Sequence, residues 1–311
     1  MKPVVHTCRV CSADLKSVWS VVDAKSAEQI EMALCDHCGL VQQANMPSDE
    51  ALAIYYSHHY REDYKSAHQP SLKHVHRAGH VALDRLRFIE ASGIQAQGQR
   101  LVDIGAGGGE FCFMAKQKGF DVLGIEPHHG YSEFARDQYG IQINTLGIAD
   151  IPDQSADVVT LFHVLEHLAH PVQAMEKVWS ILRPGGRFVI EVPNIHQADA
   201  SPHNIYFKAH LFYYSRYSLA AAASRFFDVE RLEDQGNLYA VLRRKAVALP
   251  ELVLPMPAEV AHTRERLAQK GWLEYLTVGG GWKKPFKRLR KMRAERQIAA
   301  HSAKSVLEAL I

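Results

Sequence analysis

Two groups of residues in this 311-residue chain have types and spacings suited to chemistry. The first is four cysteines in two close pairs, Cys8-x2-Cys11 and Cys35-x2-Cys38. Each pair can wrap one side of a tetrahedral ion, and four thiolates suit zinc, whose structural sites are closed four-coordinate cages. A closed cage leaves no open position for substrate, so this array is expected to serve folding. His6 and His37 lie close in sequence, but four cysteines already complete the shell. Gly39 suits the tight turn after the last ligand, and the lone Cys112 reads as a small buried residue. The second group is the stretch "LVDIGAGGGEF", Leu101 to Phe111, in which an apolar run meets an acid, four glycines in five positions and another acid.

A glycine-rich turn between a strand and a helix lets a nucleotide approach the backbone. A dinucleotide site wants G-x-G-x-x-G, with the pyrophosphate on the helix N-terminus. Counted from Gly105, the third glycine should fall at position 110, where the chain has Glu110. A carboxylate there would repel a pyrophosphate. The spacing present is D-x-G-x-G-x-G, on Asp103, Gly105, Gly107 and Gly109. Glu126 ends the next apolar run, "VLGIEP", where an acid can accept hydrogen bonds from both hydroxyls of a ribose. Nicotinamide enzymes use an acid in the same way, so Glu126 alone does not choose between cofactors.

These residues need elements to hold them. From residue 100 strand and helix patterns alternate: "RLVDIG", "GEFCFMAKQKG", "DVLGIEP", "GYSEFARDQYG", "ADVVTLFHV", "PVQAMEKVWSILRPGG", "RFVIEVPN", the helical "SLAAAASRF", and the closing strands "FDVERLEDQ" and "NLYAVLRRK". Such alternation indicates an α/β fold on a mainly parallel sheet. Before it, Leu72, Val75, Ala82, Leu83, Leu86 and Ile89 fall near one face of a helix. Four regions follow: a zinc-binding module at 1–45, a helical connector at 46–97, the α/β domain at 98–247 and a basic helical extension at 248–311. With 47% hydrophobic residues the chain can bury a sizeable core, and its 36 basic and 34 acidic residues give no global polyanion-binding charge. No signal-peptide core and no run of 18 apolar residues is present, so a soluble cytoplasmic protein is expected.

The D-x-G-x-G-x-G turn resembles motif I of the class I S-adenosylmethionine-dependent methyltransferases, whose cofactor has no phosphates. The segment "IADIPDQSADVVTLFHVLEHLAHPVQAMEKVWSILRPGGRFVIEVPN" resembles the middle of that family nearly throughout. The resemblance implies a Rossmann-like class I methyltransferase sheet, mostly parallel with the last strand antiparallel, over roughly residues 98 to 247. It implies cofactor contacts from Asp103, Gly105, Ala106, Gly107, Gly109, Glu126, Pro127, Ile148, Ala149, Phe162 and His163. With the cysteine array in front, the chain is similar to a bacterial group that includes sugar C-methyltransferases. In that group an aromatic segment, here "YYSHHYREDY", helps to cover the cofactor, which would bring Tyr60 and Tyr64 to its methionine end.

Methyl transfer needs an acceptor held in line and a base where the acceptor's pKa is high. Among 18 histidines, His163 stands out as the residue leaving the central strand, and His210 as part of "NIYFKAHLFYYS". The sugar C-methyltransferases carry a segment resembling Y-H-E-H-x-x-Y-F-S there, which aligns His210 with a catalytic base and matches Tyr213, Tyr214 and Ser215. Phe207, Lys208 and Ala209 depart from it, so O-, C- and N-methylation stay open. Asn194, at the end of "EVPN", sits where ligands of open α/β sheets bind and is a further acceptor-site candidate. Glu166 and His167 of "VLEHL" read as structural.

The expected function is methylation of a small-molecule or glycan-linked acceptor, a nucleotide-sugar among the candidates. The alternatives are an RNA methyltransferase, a module that binds the cofactor without catalysis, and a nicotinamide dehydrogenase. The segment "WKKPFKRLRKMRAERQ", with eight Lys or Arg and one Glu, reads as a solvated helix face, with an anionic acceptor, a peripheral membrane contact or RNA as sharper readings.

Overall fold

The structure, a computed structural model, describes residues 6–48, 50, 52, 69–296 and 302–311. Tyr60 and Tyr64 lie outside the described residues. Along the chain run β1 (Ser17–Val22), β2 (Gln29–Leu34), β3 (Val41–Gln43), α1 (Leu72–Ala91), β4 (Arg100–Ile104), α2 (Glu110–Gln117), β5 (Asp121–Ile125), α3 (His129–Tyr139), β6 (Ile143–Asn144), β7 (Ala156–Phe162), α4 (Pro171–Ile181), β8 (Leu182–Val192), β9 (Phe212–Tyr213), α5 (Arg216–Ala223), β10 (Phe227–Glu233), β11 (Leu238–Arg244), α6 (Pro257–Gln269), α7 (Trp272–Thr277), α8 (Lys284–Arg296) and α9 (Ala303–Glu308). Seven strands follow the order β10-β11-β8-β7-β4-β5-β6, and the last strand in sequence, β11, pairs antiparallel with β10. Among the described residues no helix is long and apolar enough to cross a membrane.

The chain divides into two compact units, one of Met1–Asp49, His163–Trp179 and Ile190–Lys284, the other of Glu50–Phe162, Ser180–Val189 and Pro285–Ile311. In the second unit β4 pairs parallel with both β5 and β7, so that Val102 faces Leu123 on one side and Val159 on the other. The near-continuous apolar run of β7 follows from burial on both faces. Helix α1 presents Val75, Ala82, Leu86 and Ile89 to the core, as its spacing predicts, and packs on α2. Helix α2 starts at Gly109, whose φ of 82° and close approach to the Ala135 Cβ (2.6 Å from a Cβ added there) admit only glycine.

In the first unit strands β1, β2 and β3 fall within the expected module of residues 1–45. Their antiparallel sheet continues into β9, with Val41 opposite Tyr213 and Gln42 opposite Phe212. A three-stranded sheet of short strands leaves an edge open, and β9 covers it. The α/β stretch 98–247 and the extension 248–311 are shared between the units.

Buried Asp23 ties the same region together. Its carboxylate accepts from the backbone N–H of Lys25, Ser26 and Lys208 and from the Ser26 hydroxyl. Burial opposes the charge, but these donors outweigh it and hold the carboxyl below its ordinary value. A depressed carboxyl stabilises the fold above its unfolded pKa, and that contribution is lost as pH falls through the lower folded value. Asp23→Ala is expected to cost about 1–3 kcal/mol in urea unfolding at pH 7, and the difference from wild type should shrink in acid. An unchanged midpoint at pH 7 would contradict this account.

Candidate functional site

In the second unit the glycine turn is built on β4 and β5. The N–H groups of Gly105 and Ala106 donate to the Ile125 carbonyl at 2.8 and 3.0 Å. The Gly107 N–H donates to Glu126 Oε2 at 2.9 Å, and Glu126 Oε1 accepts from the His128 N–H at 3.1 Å. The acid and the turn predicted to share a ligand are therefore in direct contact. Gly107 has φ of 56°, and a Cβ added to it would meet nothing within 4 Å, so the backbone there faces open space. Glu110 opens α2, where its charge suits the helix dipole and discourages an anion.

Asp103, at the head of the turn, is buried and bonded to side chains of β7 and α2. Its Oδ1 accepts from the Thr160 hydroxyl at 2.6 Å and its Oδ2 from the Cys112 thiol at 3.4 Å. Burial pushes its carboxyl up, against the hydrogen bond from Thr160. Asp103 anchors the base of the turn to β7 and α2. Cys112 is fully buried, as read from the sequence. Ala106 and Phe162 are buried too, and the Phe162 ring meets Phe111 edge-on at 4.9 Å and lies under the Arg85 guanidinium at 4.2 Å. Pro127 and Ala149 are exposed and Ile148 is half-buried, the last two on a short 3-10 turn, Ile148–Asp150.

In the first unit the polar cluster centres on a residue the sequence reading had set aside. Glu166 is fully buried; its Oε1 faces His163 Nδ1 at 3.2 Å and His167 Nε2 at 4.0 Å, and its Oε2 has no hydrogen-bond partner. His163 follows β7 with φ of 55°, in the left-handed region. That strained backbone turns its ring between two carboxylates, since Nε2 also faces Glu191 Oε1 at 3.0 Å. Asn237 Nδ2 donates to the same Glu191 oxygen at 2.6 Å. Burial disfavours the imidazolium, but the two acids outweigh it and lift His163 to about 9. Solvent still reaches the ring, 37% of whose side-chain surface is exposed, and screens part of that attraction. A charged His163 has no lone pair for a substrate proton.

His210 is the opposite case. Burial, with the neighbouring His167 adding to it, pushes it down to about 3 and keeps the ring neutral. Its Nδ1 is buried without a partner. The ring stands edge-on to His167 at 4.8 Å, and ligand-type atoms of Glu166, His167 and His210 lie within 4.8 Å of one another. His167 Nδ1 is held by the Ala209 carbonyl at 2.8 Å. The two remaining acceptor-site candidates are committed to backbone. Asn194 donates to the Asp234 carbonyl and accepts from the His196 N–H, both at 2.9 Å. The Tyr213 hydroxyl accepts from the Phe207 N–H at 2.6 Å and donates to the Phe207 carbonyl at 3.2 Å. The Tyr213 bonds tie the two sides of the short loop that carries His210. Sequence reasoning missed Glu191, Asn237 and Thr160; Glu191 and Thr160 carried a signal, a polar residue inside an apolar strand run, where burial demands a partner.

The four cysteines converge. Cys8 and Cys38 sulfurs lie 3.5 Å apart, Cys11 and Cys35 sulfurs 3.4 Å apart, and all four within 4.8 Å. A disulfide needs about 2.05 Å, whereas ligands 2.3 Å from one tetrahedral ion sit about 3.8 Å from each other. Hydrogen bonding with Cys11 pushes the Cys8 and Cys38 thiols up and holds Cys35 down. Backbone N–H groups of Val10 and Cys38 point at the sulfurs of Cys8 and Cys35. The donor set and spacing fit zinc.

Residues 74–226, just under half of the chain, match the family model described as a methyltransferase domain. A tRNA U34 carboxymethyltransferase from Desulfotalea psychrophila is 33% identical over 108 residues, 32% of this chain and 34% of that protein. A ubiquinone biosynthesis O-methyltransferase from Aeromonas salmonicida is 33% identical over 106 residues, 31% of this chain and 44% of that protein. The chain thus spans less than half the length of these curated relatives. The crystal structure of an S-adenosylmethionine-dependent methyltransferase from Mesorhizobium loti aligns at 19% identity with a TM-score of 0.44, over 51% of this chain and 97% of that one.

The His163 clamp can be read by proton NMR, with His163→Gln assigning the signal. The ring should titrate with a midpoint near 9, and Glu191→Gln should bring it down towards the ordinary value near 6.5. The stabilisation from this pairing is fully present below about pH 6.5 and lost as pH rises through about 9. A wild-type midpoint near 6.5 would refute the clamp.

Proposed function

We propose that this chain, whose residues 74–226 match a methyltransferase domain, is a class I, S-adenosylmethionine-dependent methyltransferase that methylates an oxygen or carbon of a small or glycan-linked acceptor, nucleotide-linked sugars included. The observation that carries the cofactor half is the Gly107 to Glu126 contact beside an open glycine backbone, with Glu110 where a pyrophosphate would need to sit. S-adenosylmethionine, when bound, supplies a methyl carbon made electrophilic by a sulfonium. Glu126 exchanges its backbone donors for the two ribose hydroxyls. Asp103 and Thr160 keep the turn rigid beneath.

On the acceptor side the reading assigns contact to His210. Its neutral ring offers a lone pair, and its Nδ1 is unpartnered. As the acceptor oxygen or carbon attacks, His210 takes its proton, and the buried Glu166 carboxylate steadies the imidazolium that forms. His163 then acts through Glu166 as a positioning residue. The four cysteines hold one zinc ion in a closed site that supports the fold. A second reading, an RNA acceptor, draws on the eight Lys or Arg of residues 282–297 and on the name of the tRNA-modifying relative. It requires acceptor affinity that falls steeply with salt, which a small acceptor would not show.

Calorimetry on the full chain should detect S-adenosylmethionine and not NAD; NAD binding alone would overturn the proposal. Glu126→Ala should weaken cofactor binding about tenfold or more, the loss of charge-assisted hydrogen bonds. In a screen for S-adenosylhomocysteine release over nucleotide-sugars, His210→Asn should cut turnover about a hundredfold or more with cofactor affinity unchanged. Metal analysis should return one zinc per chain, lost in Cys38→Ser together with a lower melting temperature.

A further inference from the structure

Helix α8 carries a pattern that methyl transfer does not use. Residues 282–297 hold eight Lys or Arg and one acid, Glu295. Glu295 is nearly buried and receives the Arg77 guanidinium in bidentate fashion, at 2.6 and 2.8 Å. That pair fixes the helix's rotation on its own unit. At about 100° per residue, Phe286, Leu289 and Met292 form a stripe centred about 120° away from Glu295. The stripe points outward: these three side chains are 63%, 56% and 45% exposed. Lys287 and Arg288 are exposed between them.

We propose that this surface docks the protein onto an anionic lipid membrane, with the Phe286–Leu289–Met292 stripe entering the headgroup boundary and the flanking cations meeting lipid phosphates. A helix that only faced water would not present large apolar side chains in register along one side. Apolar stripe and cations together are what an interfacial helix needs, with an aromatic ring at headgroup depth. A second copy of the chain fits poorly, because a two-fold pairing of this face would bring the exposed Lys287 and Arg288 against cations of the same sign. RNA would engage the cations and leave Leu289 and Met292 exposed to no advantage. The docking does not depend on which acceptor is methylated.

Co-sedimentation of the full chain with phosphatidylcholine vesicles, with and without phosphatidylglycerol, tests this at physiological salt. The expected result is binding at least tenfold tighter to the mixed vesicles. Phe286→Ser with Leu289→Ser should weaken it about tenfold, and Lys287→Glu with Arg288→Glu should abolish it. All four positions are exposed, so both variants should melt as wild type does. No binding to anionic vesicles would overturn the proposal. So would binding that charge reversal removes, that the serine variant leaves intact and that tRNA displaces, which marks a polyanion site. Self-association removed by the serine variant, without vesicle binding, would show a second copy as the occupant.

Discussion

Two buried carboxylates, Glu166 and Glu191, share one imidazole, that of His163, beside the His210 segment. Neither acid reaches solvent, and each would be costly as an unpaired charge in a low-dielectric interior. His163 serves both. Its backbone N–H also donates to the Glu191 carbonyl at 2.8 Å, so the end of β7 and the end of β8 are joined through one residue at two levels. The left-handed φ of His163 is the strain accepted for that double attachment. With Glu166 fixed, its own carbonyl receives the Leu211 N–H at 2.8 Å, and this brings the His210 segment to it.

The charge arrangement also sorts the histidines. His163, between two acids, is held protonated, while His167 and His210, buried with less compensation, are held neutral. Three rings of one residue type within a short span thus take different roles because burial and carboxylate contact are distributed unequally among them. Glu166 stays ionised at about 2, burial being outweighed by the hydrogen bond from His163. A buried carboxylate that keeps one oxygen unpartnered, close to a neutral imidazole with an unpartnered nitrogen, leaves polar groups of this interior incomplete.

What the sequence made legible was local. The glycine turn, the cysteine pairs, the strand and helix alternation and the antiparallel closing strands each declare themselves within a few residues and appear where expected, except that "LRPGG", read as the end of a helix, opens β8. Pairings across long separations did not. Glu191 and Asn237 lie 28 and 74 residues from His163, and no spacing rule connects them. Asn194 and Tyr213 were chosen by residue type and position, but a side chain's type does not say whether nearby backbone has already claimed it. Glu166 read as structural, and residue type alone could not show that it is fully buried with one oxygen unclaimed.

The cysteine module gains its purpose from the same long-range contacts. Strand β3 follows directly on the second cysteine pair, and its Gln43 side chain donates to the carbonyls of Lys208 and His210 at 2.8 and 3.0 Å. The Gln43 N–H donates to the Leu211 carbonyl at 2.9 Å, and β3 pairs with β9 immediately beyond. Asp23, from the hairpin between β1 and β2, holds the Lys208 N–H. The segment 207–213 therefore hangs on one side from the Glu166 carbonyl and on the other from strands that the four cysteines gather. A small antiparallel sheet of this size is marginal without a staple. The four converging cysteines have the donor set and spacing of such a staple, and the backbone hydrogen bonds of β3 link the sheet beside them to the His210 segment.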